Sequence, residues 1–276
     1  MPNTPQAAGL ELHAADAYCR ALAAEHYENF SVASAFVGAA RRRDLMRIYA
    51  FCRTTDDLGD ESARGALARL DRWQADTAAL FAGEQPVHPV LLALGETVRA
   101  HALPAQPFFD LIAANVQDQH VKSYADWPAL QAYCRLSAAP VGRMVLRVFG
   151  IADPAAEALS DDVCIGLQLA NHAQDVSRDA LIGRTYLLEE DLRAGGTRAA
   201  VQGLVARARE LLDAGRRLER MVPLPLRLQL ALYRLGGLAI CDAIERAGFA
   251  TDRTRPSVST PMKLGIALRA VASVGG

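Results

Sequence analysis

The sequence lacks an excess of charge of either sign. Its 30 Lys and Arg residues are offset by 31 Asp and Glu residues, which leaves a formal net charge of −1 at pH 7. Nucleic-acid-binding surfaces need a basic excess, so we expect no nucleic-acid partner. Because 51% of the residues are apolar, the chain is not disordered by composition and has enough apolar side chains for a large core.

Long hydrophobic runs and targeting signals are also missing. No run of about 18 residues is free of charged side chains, so no membrane-spanning helix is expected. The N-terminus has no basic region followed by an apolar one, as a secretory signal would. The five cysteines include no C-x-x-C pair and are typical of reduced core thiols. We therefore expect a cytoplasmic location.

Alternating strand patterns are absent, and helical periodicity replaces them. Segments 12–27 and 204–222 place apolar residues three and four positions apart. The turn-forming stretches between such segments, among them "RAGGT" (193–197), are short, and the chain shows no linker or change of composition. The pattern predicts one all-α domain over residues 1–276, with roughly ten helices. Residues 1–11 are expected to be flexible.

The first acidic segment is "TTDDLGDE" (54–61), directly after the apolar stretch "MRIYAFCR". At about 100° per residue, Tyr49, Arg53 and Asp60 lie within roughly 60° of Asp56 on a helix, and Asp57 lies at the margin of that stripe. A solvated helix end is the simplest alternative. However, acidic residues at a helix C-terminus oppose the macrodipole, and Asp is a weak helix former.

A hard divalent cation would explain these carboxylates. Mg²⁺ prefers oxygen ligands and is commonly held by one or two carboxylates together with substrate phosphates. Neither His nor Cys is placed beside them for zinc. The segment therefore predicts a Mg²⁺ site formed by Asp56 and Asp60, with Asp57 assisting.

A second acidic segment starts at Asn171, where Asn171, Asp175 and Asp179 are spaced i, i+4, i+8 after another apolar helix. On a continuous helix they span an arc of about 80° and about 12 Å. Arg178 and Arg184 follow closely and are suited to phosphate oxygens. A solvated terminus is again the alternative for this segment alone. Two such segments over one hundred residues apart predict a diphosphate site bridged by Mg²⁺. His172 is expected either to support the ligands from behind or to pack in the core, rather than to bind the metal.

At these positions the chain resembles the squalene/phytoene synthase family. "YAFCRTTDDLGDE" and "NHAQDVSRDALIGRTYL" are similar to the two aspartate motifs of that family, and "YCRLSAAPVGRMVL" to its central helix. "HYENFSVAS" (26–34) and Gln174 resemble the hydroxysqualene synthase branch most closely. The resemblance covers residues from about Tyr18 to Ala270 and implies an isoprenoid-synthase-type helical bundle with a central active-site cavity.

The resemblance also implies roles for individual residues. The catalytic set would be Tyr49, Asp56, Asp60, Asp175 and Asp179, with Mg²⁺ on these aspartates, Asp57 and Asn171. The substrate diphosphate would contact Arg53, His26, Asn29, Arg178, Arg184, Arg255 and Lys263. For Arg255 and Lys263, solvated surface charges are an equal alternative. Phe30 and Tyr49 would offer π-faces to a carbocation, whereas Phe51 is expected to pack in the core.

The implied reaction is the Mg²⁺-dependent ionisation of presqualene diphosphate and capture of the cation by water, which gives hydroxysqualene. A head-to-head synthase acting on two prenyl diphosphates is the second possibility, and a non-catalytic assembly protein is the third. Three alanines depart from the family pattern and leave the shape of the hydrocarbon cavity, and hence the product, open: Ala139, Ala173 and Ala180. The C-terminal "MKLGIALRAVASVGG" is predicted to be an amphipathic helix, either in peripheral contact with the cytoplasmic membrane or docked on the domain.

Overall fold

The computed structural model describes residues 5–25, 37–60 and 65–274. Over these ranges the chain is helical and forms no strand, and its β-type pairing is a single parallel bridge between Tyr124 and Leu188. The prediction of an all-α fold is therefore confirmed. None of the helices in these ranges is long and apolar enough to cross a membrane.

The chain divides into two compact units that alternate along the sequence. The first contains residues 1–119 and 143–152, and the second contains residues 120–142 and 153–276. The single domain expected over residues 1–276 stays a prediction. In the first unit the helices are α1 (Pro5–Glu25), α2 (Ala39–Asp60), α3 (Ala66–Phe81), α4 (Pro89–His101) and α5 (Gln106–His120).

Helix α2 lies at the centre of the first unit and packs against α1, α3 and α4. Its Phe51 is fully buried, stacks on Trp73 at 5.3 Å between ring centroids and meets Phe108 edge-on at 5.0 Å. The expected core role of Phe51 is confirmed. Buried Arg47 donates to Asp16 of α1 at 2.8 Å and to Thr97 of α4 at 3.2 Å, so the orientation of α2 is fixed from both sides.

The second unit is built on α8, which packs on α10 and α11, while α12 packs on α11. Buried Arg234 of α11 donates to Glu219 of α10 at 2.6 Å and ties these helices together. Helix α7 continues from this unit into residues 143–148 of the first. The helices are α6 (Trp127–Ser137), α7 (Ala139–Val148), α8 (Pro154–Gln174), α9 (Val176–Leu181), α10 (Glu189–Met221), α11 (Leu224–Arg246) and α12 (Thr260–Val274).

Two details depart from the sequence-based expectations. The described ranges contain twelve helices rather than about ten, because short helices such as α9 also form. The segment 1–11, expected to be flexible, is helical from Pro5 onward. The predicted interruption at "RAGGT" does occur within α10, where Gly196 has a φ of 72°, a conformation that glycine adopts without a steric penalty.

Candidate functional site

The first acidic segment forms the last turns of α2, as predicted. Arg53 is half-buried and donates a hydrogen bond to Asp57 one turn later. Burial lowers the pKa of Arg53, but the bond to Asp57 and the negative charges of Asp57 and Asp56 outweigh burial and raise it. Burial raises the pKa of Tyr49, and the charge of Arg53 opposes that rise. The side chains predicted to share one stripe therefore interact with one another.

Asp56 keeps an exposed surface, yet enough protein surrounds its carboxylate to disfavour the charged form. Desolvation raises the pKa of Asp56 to about 6; the hydrogen bond from Asn115 opposes this rise, and the negative charge of Asp60 adds to it. An exposed carboxylate whose charged form is disfavoured by its surroundings is a candidate for binding a cation, which argues against a merely solvated helix end. A bound cation would offset both the cost of burying the charged carboxylate and its repulsion from Asp60.

Asn115 and Gln119 of α5 were not singled out from the sequence. Asn115 Nδ2 donates to Asp56 Oδ1 at 3.2 Å, and Gln119 Nε2 donates to the carbonyl oxygen of Gly59 at 3.0 Å. A Cβ atom at Gly59 would lie 2.5 Å from Asn115 Oδ1, so glycine is needed where the two helices approach. The sequence signal was available: two amides four residues apart on one face of a helix.

The first acidic segment also offers a hydrogen-bond donor that an anion could accept from. The Nε atom of Arg53 is buried and has no hydrogen-bond partner among the residues that the structure describes. Buried polar atoms are nearly always hydrogen-bonded, so an orphan of this kind calls for a ligand or a water molecule. A guanidinium that holds Asp57 and keeps one donor unsatisfied is suited to a phosphate oxygen.

The second acidic segment differs from the predicted continuous helix. Helix α8 ends at Gln174, Asp175 is the C-cap with a φ of −97° and a ψ of 13°, and α9 begins at Val176. The helical hydrogen bonds nevertheless continue, from the Asp175 N–H to Asn171 O at 2.8 Å and from the Asp179 N–H to Asp175 O at 2.9 Å. The three predicted ligands therefore follow one another around a broken helix, and the arc estimated for a straight helix does not apply.

Asp175 is engaged by basic side chains. Arg255 donates to Asp175 Oδ1 through Nε and to Oδ2 through Nη2, the second at 3.3 Å, and Nη2 also reaches Gln174 Oε1 at 3.0 Å. Arg178 lies 3.9 Å from Asp175 Oδ1. Arg255 is exposed, yet its side chain is held at the second acidic segment; its contact with the substrate diphosphate stays a prediction.

The remaining predicted residues lie in different surroundings. Arg184 is half-buried, and its backbone N–H donates to Asp179 O at 2.9 Å. Asn171 is exposed at the end of α8, and Lys263 is exposed on α12. His26, Asn29 and Phe30 lie outside the described residues. That both acidic segments serve one diphosphate stays a prediction.

His172 is a packing residue, as expected. Its ring stacks on Tyr186 with 3.6 Å between centroids, and its Nε2 lies 3.1 Å from Gln168 Nε2. Burial lowers the pKa of His172 to about 3. The imidazole is therefore neutral at physiological pH and contributes no charge near the second segment.

The alanines that depart from the family pattern lie in different surroundings. Ala139 and Ala173 are fully buried, whereas Ala180 is exposed on α9. A smaller side chain at a buried position leaves room for neighbouring groups. Ala139 and Ala173 are therefore the two departures that can change the shape of the protein interior.

The residues fit Mg²⁺ by the chemistry of their donors. Over the described ranges, no group of three or more His, Cys, Asp and Glu side chains is gathered as a ready-made metal site. Mg²⁺ does not require one, since it keeps waters and takes substrate phosphates beside one or two carboxylates. Asp56, with Asp60 one turn away, and Asp175, with Asp179 in the next turn, meet that need.

Comparison with known proteins agrees with these observations. Residues 23–261 match the squalene/phytoene synthase family. The chain is 32% identical to the 15-cis-phytoene synthase of Synechococcus elongatus, across 96% of this chain and 94% of that protein. It is 32% identical to the hydroxysqualene synthase of Rhodopseudomonas palustris, across 76% and 73% of the respective chains.

A solved structure shows the fold directly. The crystal structure of squalene synthase HpnC from Alicyclobacillus acidocaldarius superposes with a TM-score of 0.82 at 44% identity, over 87% of this chain and 96% of that one. The isoprenoid-synthase-type helical fold is thereby confirmed. With the matched segment spanning both acidic motifs, the chain belongs to the squalene/phytoene synthase family.

Proposed function

We propose that the protein ionises presqualene diphosphate and adds water to the resulting cation, releasing hydroxysqualene and diphosphate. The observation that carries the diphosphate part is the cluster of charged side chains at the end of α2. There, the buried Nε of Arg53, which has no hydrogen-bond partner among the described residues, lies near Asp56, whose charged form is disfavoured by burial and by Asp60. The choice of branch is supported by Gln174, at a position where the family resemblance leads us to expect arginine in head-to-head synthases, and by the 32% identity to the hydroxysqualene synthase of Rhodopseudomonas palustris.

The chain's own side chains bind and orient the leaving group. Arg53 and Arg255 donate hydrogen bonds to diphosphate oxygens, with Arg178 and Arg184 adding positive charge. Asp56, Asp60, Asp175 and Asp179, with Asn171, would hold Mg²⁺, which when bound neutralises the charge that develops on the leaving diphosphate. The hydrocarbon chain of the substrate would need a site from which bulk water is excluded, and the apolar residues of α8 and α11 would contribute to it.

The carbon–oxygen bond of presqualene diphosphate breaks, and its electron pair leaves with the diphosphate. The cyclopropylcarbinyl cation rearranges to a more stable cation. A water oxygen then bonds to that carbon and loses one proton, which gives the C30 alcohol without any reductant.

A head-to-head synthase that joins two prenyl diphosphates is the second candidate. The similarity to the cyanobacterial phytoene synthase, which spans 96% of this chain, favours it. Product analysis separates the two candidates. Purified protein with Mg²⁺ and no NADPH is given presqualene, farnesyl or geranylgeranyl diphosphate in ¹⁸O-water.

A labelled C30 alcohol from presqualene diphosphate alone is the expected result. A hydrocarbon or a cyclopropyl diphosphate from either prenyl diphosphate would instead identify a head-to-head synthase. Asp175→Asn is the inactive control, and Asp213→Asn, on α10, is the matched control that should retain activity.

We also assign α12 a role in peripheral contact with the cytoplasmic face of a membrane, where an insoluble product would be delivered. Ala270 is buried against Leu228 and Ala231 of α11, so the helix is docked. Its opposite face still exposes Leu264, Leu268 and Val271, which are 64%, 66% and 54% accessible. Residues 260–274 contain Lys263 and Arg269 and no acidic residue, which suits anionic lipids.

Vesicle flotation tests this contact. The double substitution Leu264→Asp and Leu268→Asp should abolish flotation with anionic vesicles. Leu224→Asp, at another exposed leucine at the start of α11, should leave it unchanged. Wild-type protein that fails to float with anionic vesicles would refute the contact.

A further inference from the structure

The segment between α11 and α12, residues 247–259, returns to the junction of α8 and α9. The Ser177 N–H donates to Thr251 O at 3.2 Å. Further along, Gln174 Nε2 donates to Pro256 O at 2.6 Å. This segment has little regular structure of its own, so these contacts decide where Arg255 lies.

Gln174 uses both ends of its amide in this contact. The side chain is 4% exposed. Its Oε1 accepts from Arg255 Nη2 at 3.0 Å, while its Nε2 donates to the carbonyl oxygen of the next residue, Pro256. Among side chains of this length, only an amide accepts and donates at the same time at neutral pH. Glutamate lacks the donor, arginine lacks the acceptor and methionine lacks both.

The consequence is that Arg255 covers the carboxylate of Asp175. The guanidinium engages both carboxylate oxygens, and a pair of this kind is specific in geometry. In the ligand-free protein Arg255 therefore supplies the positive charge that a cation would otherwise supply to Asp175. A divalent cation on Asp175 repels the guanidinium, whereas a diphosphate beside that cation attracts it.

We propose that Gln174 positions Arg255 on Asp175 in the ligand-free protein, and that Arg255 transfers from this carboxylate to the diphosphate when Mg²⁺ and substrate bind. The second half of the proposal rests on the proposed function. The first half concerns only contacts within the ligand-free chain. Gln174 is thus a positioning residue that prepares Arg255 for transfer.

Hydrogen exchange of the amides in residues 251–259 provides the measurement. Without ligand, Gln174→Met should raise exchange there about tenfold or more, the effect expected from losing a hydrogen bond to a charged group. Gln174→Glu retains the acceptor for Arg255 and should give a smaller increase. Gln174→Arg should resemble the methionine variant, because two guanidinium groups repel. Gln168→Met, on the same helix and bonded to His172, is the control that should leave residues 251–259 unchanged.

Addition of Mg²⁺ with inorganic diphosphate tests the transfer. We expect exchange in residues 251–259 of the wild-type protein to change only when both are present, together with calorimetrically measured binding. Equal exchange in wild type and Gln174→Met without ligand would overturn the positioning role. Binding without any change in residues 251–259 would overturn the transfer alone. Absence of binding would overturn both the transfer and the proposed function, and leave the positioning role decided by the ligand-free series.

Discussion

At the residue scale, Asp56 carries a charge that the folded protein disfavours. Burial and Asp60 hold its pKa at about 6, whereas an unfolded aspartate titrates near about 3.9. A carboxyl group whose pKa is raised by folding stabilises the folded state at pH values below its unfolded pKa. That contribution is lost as the pH rises through its folded pKa. Without metal, Asp56→Asn should therefore raise the melting temperature at pH 7.5 and have no such effect at pH 3.5.

Calorimetry of both proteins in EDTA across pH 3.5–8 would check this result. Asp57→Asn is the control, because Asp57 accepts a hydrogen bond from Arg53 and its loss should not stabilise the protein at neutral pH. A wild-type protein that is more stable than Asp56→Asn at pH 7.5 would contradict the argument. The same pKa predicts that metal binding weakens as the pH falls through about 6, since protonated carboxyl groups are poor ligands.

Residue types and spacing are enough to single out Asp56, Asp60 and Asp175 as candidate metal ligands, because acidic residues recur at helical spacing in each of the two segments; their role as ligands stays a prediction. The hydrogen bond from Asn115 to Asp56 could not be predicted in this way. It joins residues 59 positions apart, and only the packing of α5 on α2 brings them together. The contact of Arg255 with Asp175 is another case, since it spans 80 positions.

At the scale of the element, the approach of α5 to the end of α2 depends on Gly59. In Gly59→Ala the added Cβ would displace the amide of Asn115, which otherwise holds Asp56. Alanine gains up to about 1 kcal/mol of helix propensity, and the displaced amide loses a hydrogen bond worth about 1 kcal/mol. Stability should therefore change by less than about 1 kcal/mol, while Mg²⁺ with inorganic diphosphate should bind more weakly.

Gly236→Ala is the matched control for this substitution. Gly236 lies inside α11, and among the described residues no neighbouring side chain comes within 4 Å of the place that an added Cβ would take. The gain in helix propensity should therefore appear alone, as increased stability. Denaturant unfolding and calorimetric binding measure the two effects. Unchanged ligand binding in Gly59→Ala would show that binding does not depend on the observed position of Asn115.

Helices were predictable because apolar residues recur at their period over many turns, and the turn at Gly196 was predictable from its glycines. The break in the helix at Asp175 could not be predicted from the sequence. Helical hydrogen bonds continue on both sides of it, and the sequence there retains helical spacing. The break is associated with contacts from residues 251–256, which are distant in the chain.

At the scale of the whole molecule, composition and periodicity predicted the all-α class. They could not predict that residues 143–152 join the first compact unit while the residues on either side of them belong to the second. The unit to which a segment belongs depends on which helices its apolar face packs against. Local periodicity shows that a helix has an apolar face but not which helix covers it. Membership of the family was identifiable from the two acidic motifs because their spacing is specific.

Ligand binding should stabilise the whole chain only when metal and diphosphate are supplied together. A ligand present at 100 times its Kd stabilises the folded state by about 2.7 kcal/mol, which for a protein of this size corresponds to a rise in Tm of roughly 5 °C or more. Mg²⁺ alone or inorganic diphosphate alone should give much less, because each needs the charge of the other. The shift should be lost in Asp56→Asn and in Asp175→Asn and retained in Asp213→Asn. A full shift in both of the first two variants would mean that neither acidic segment holds the metal.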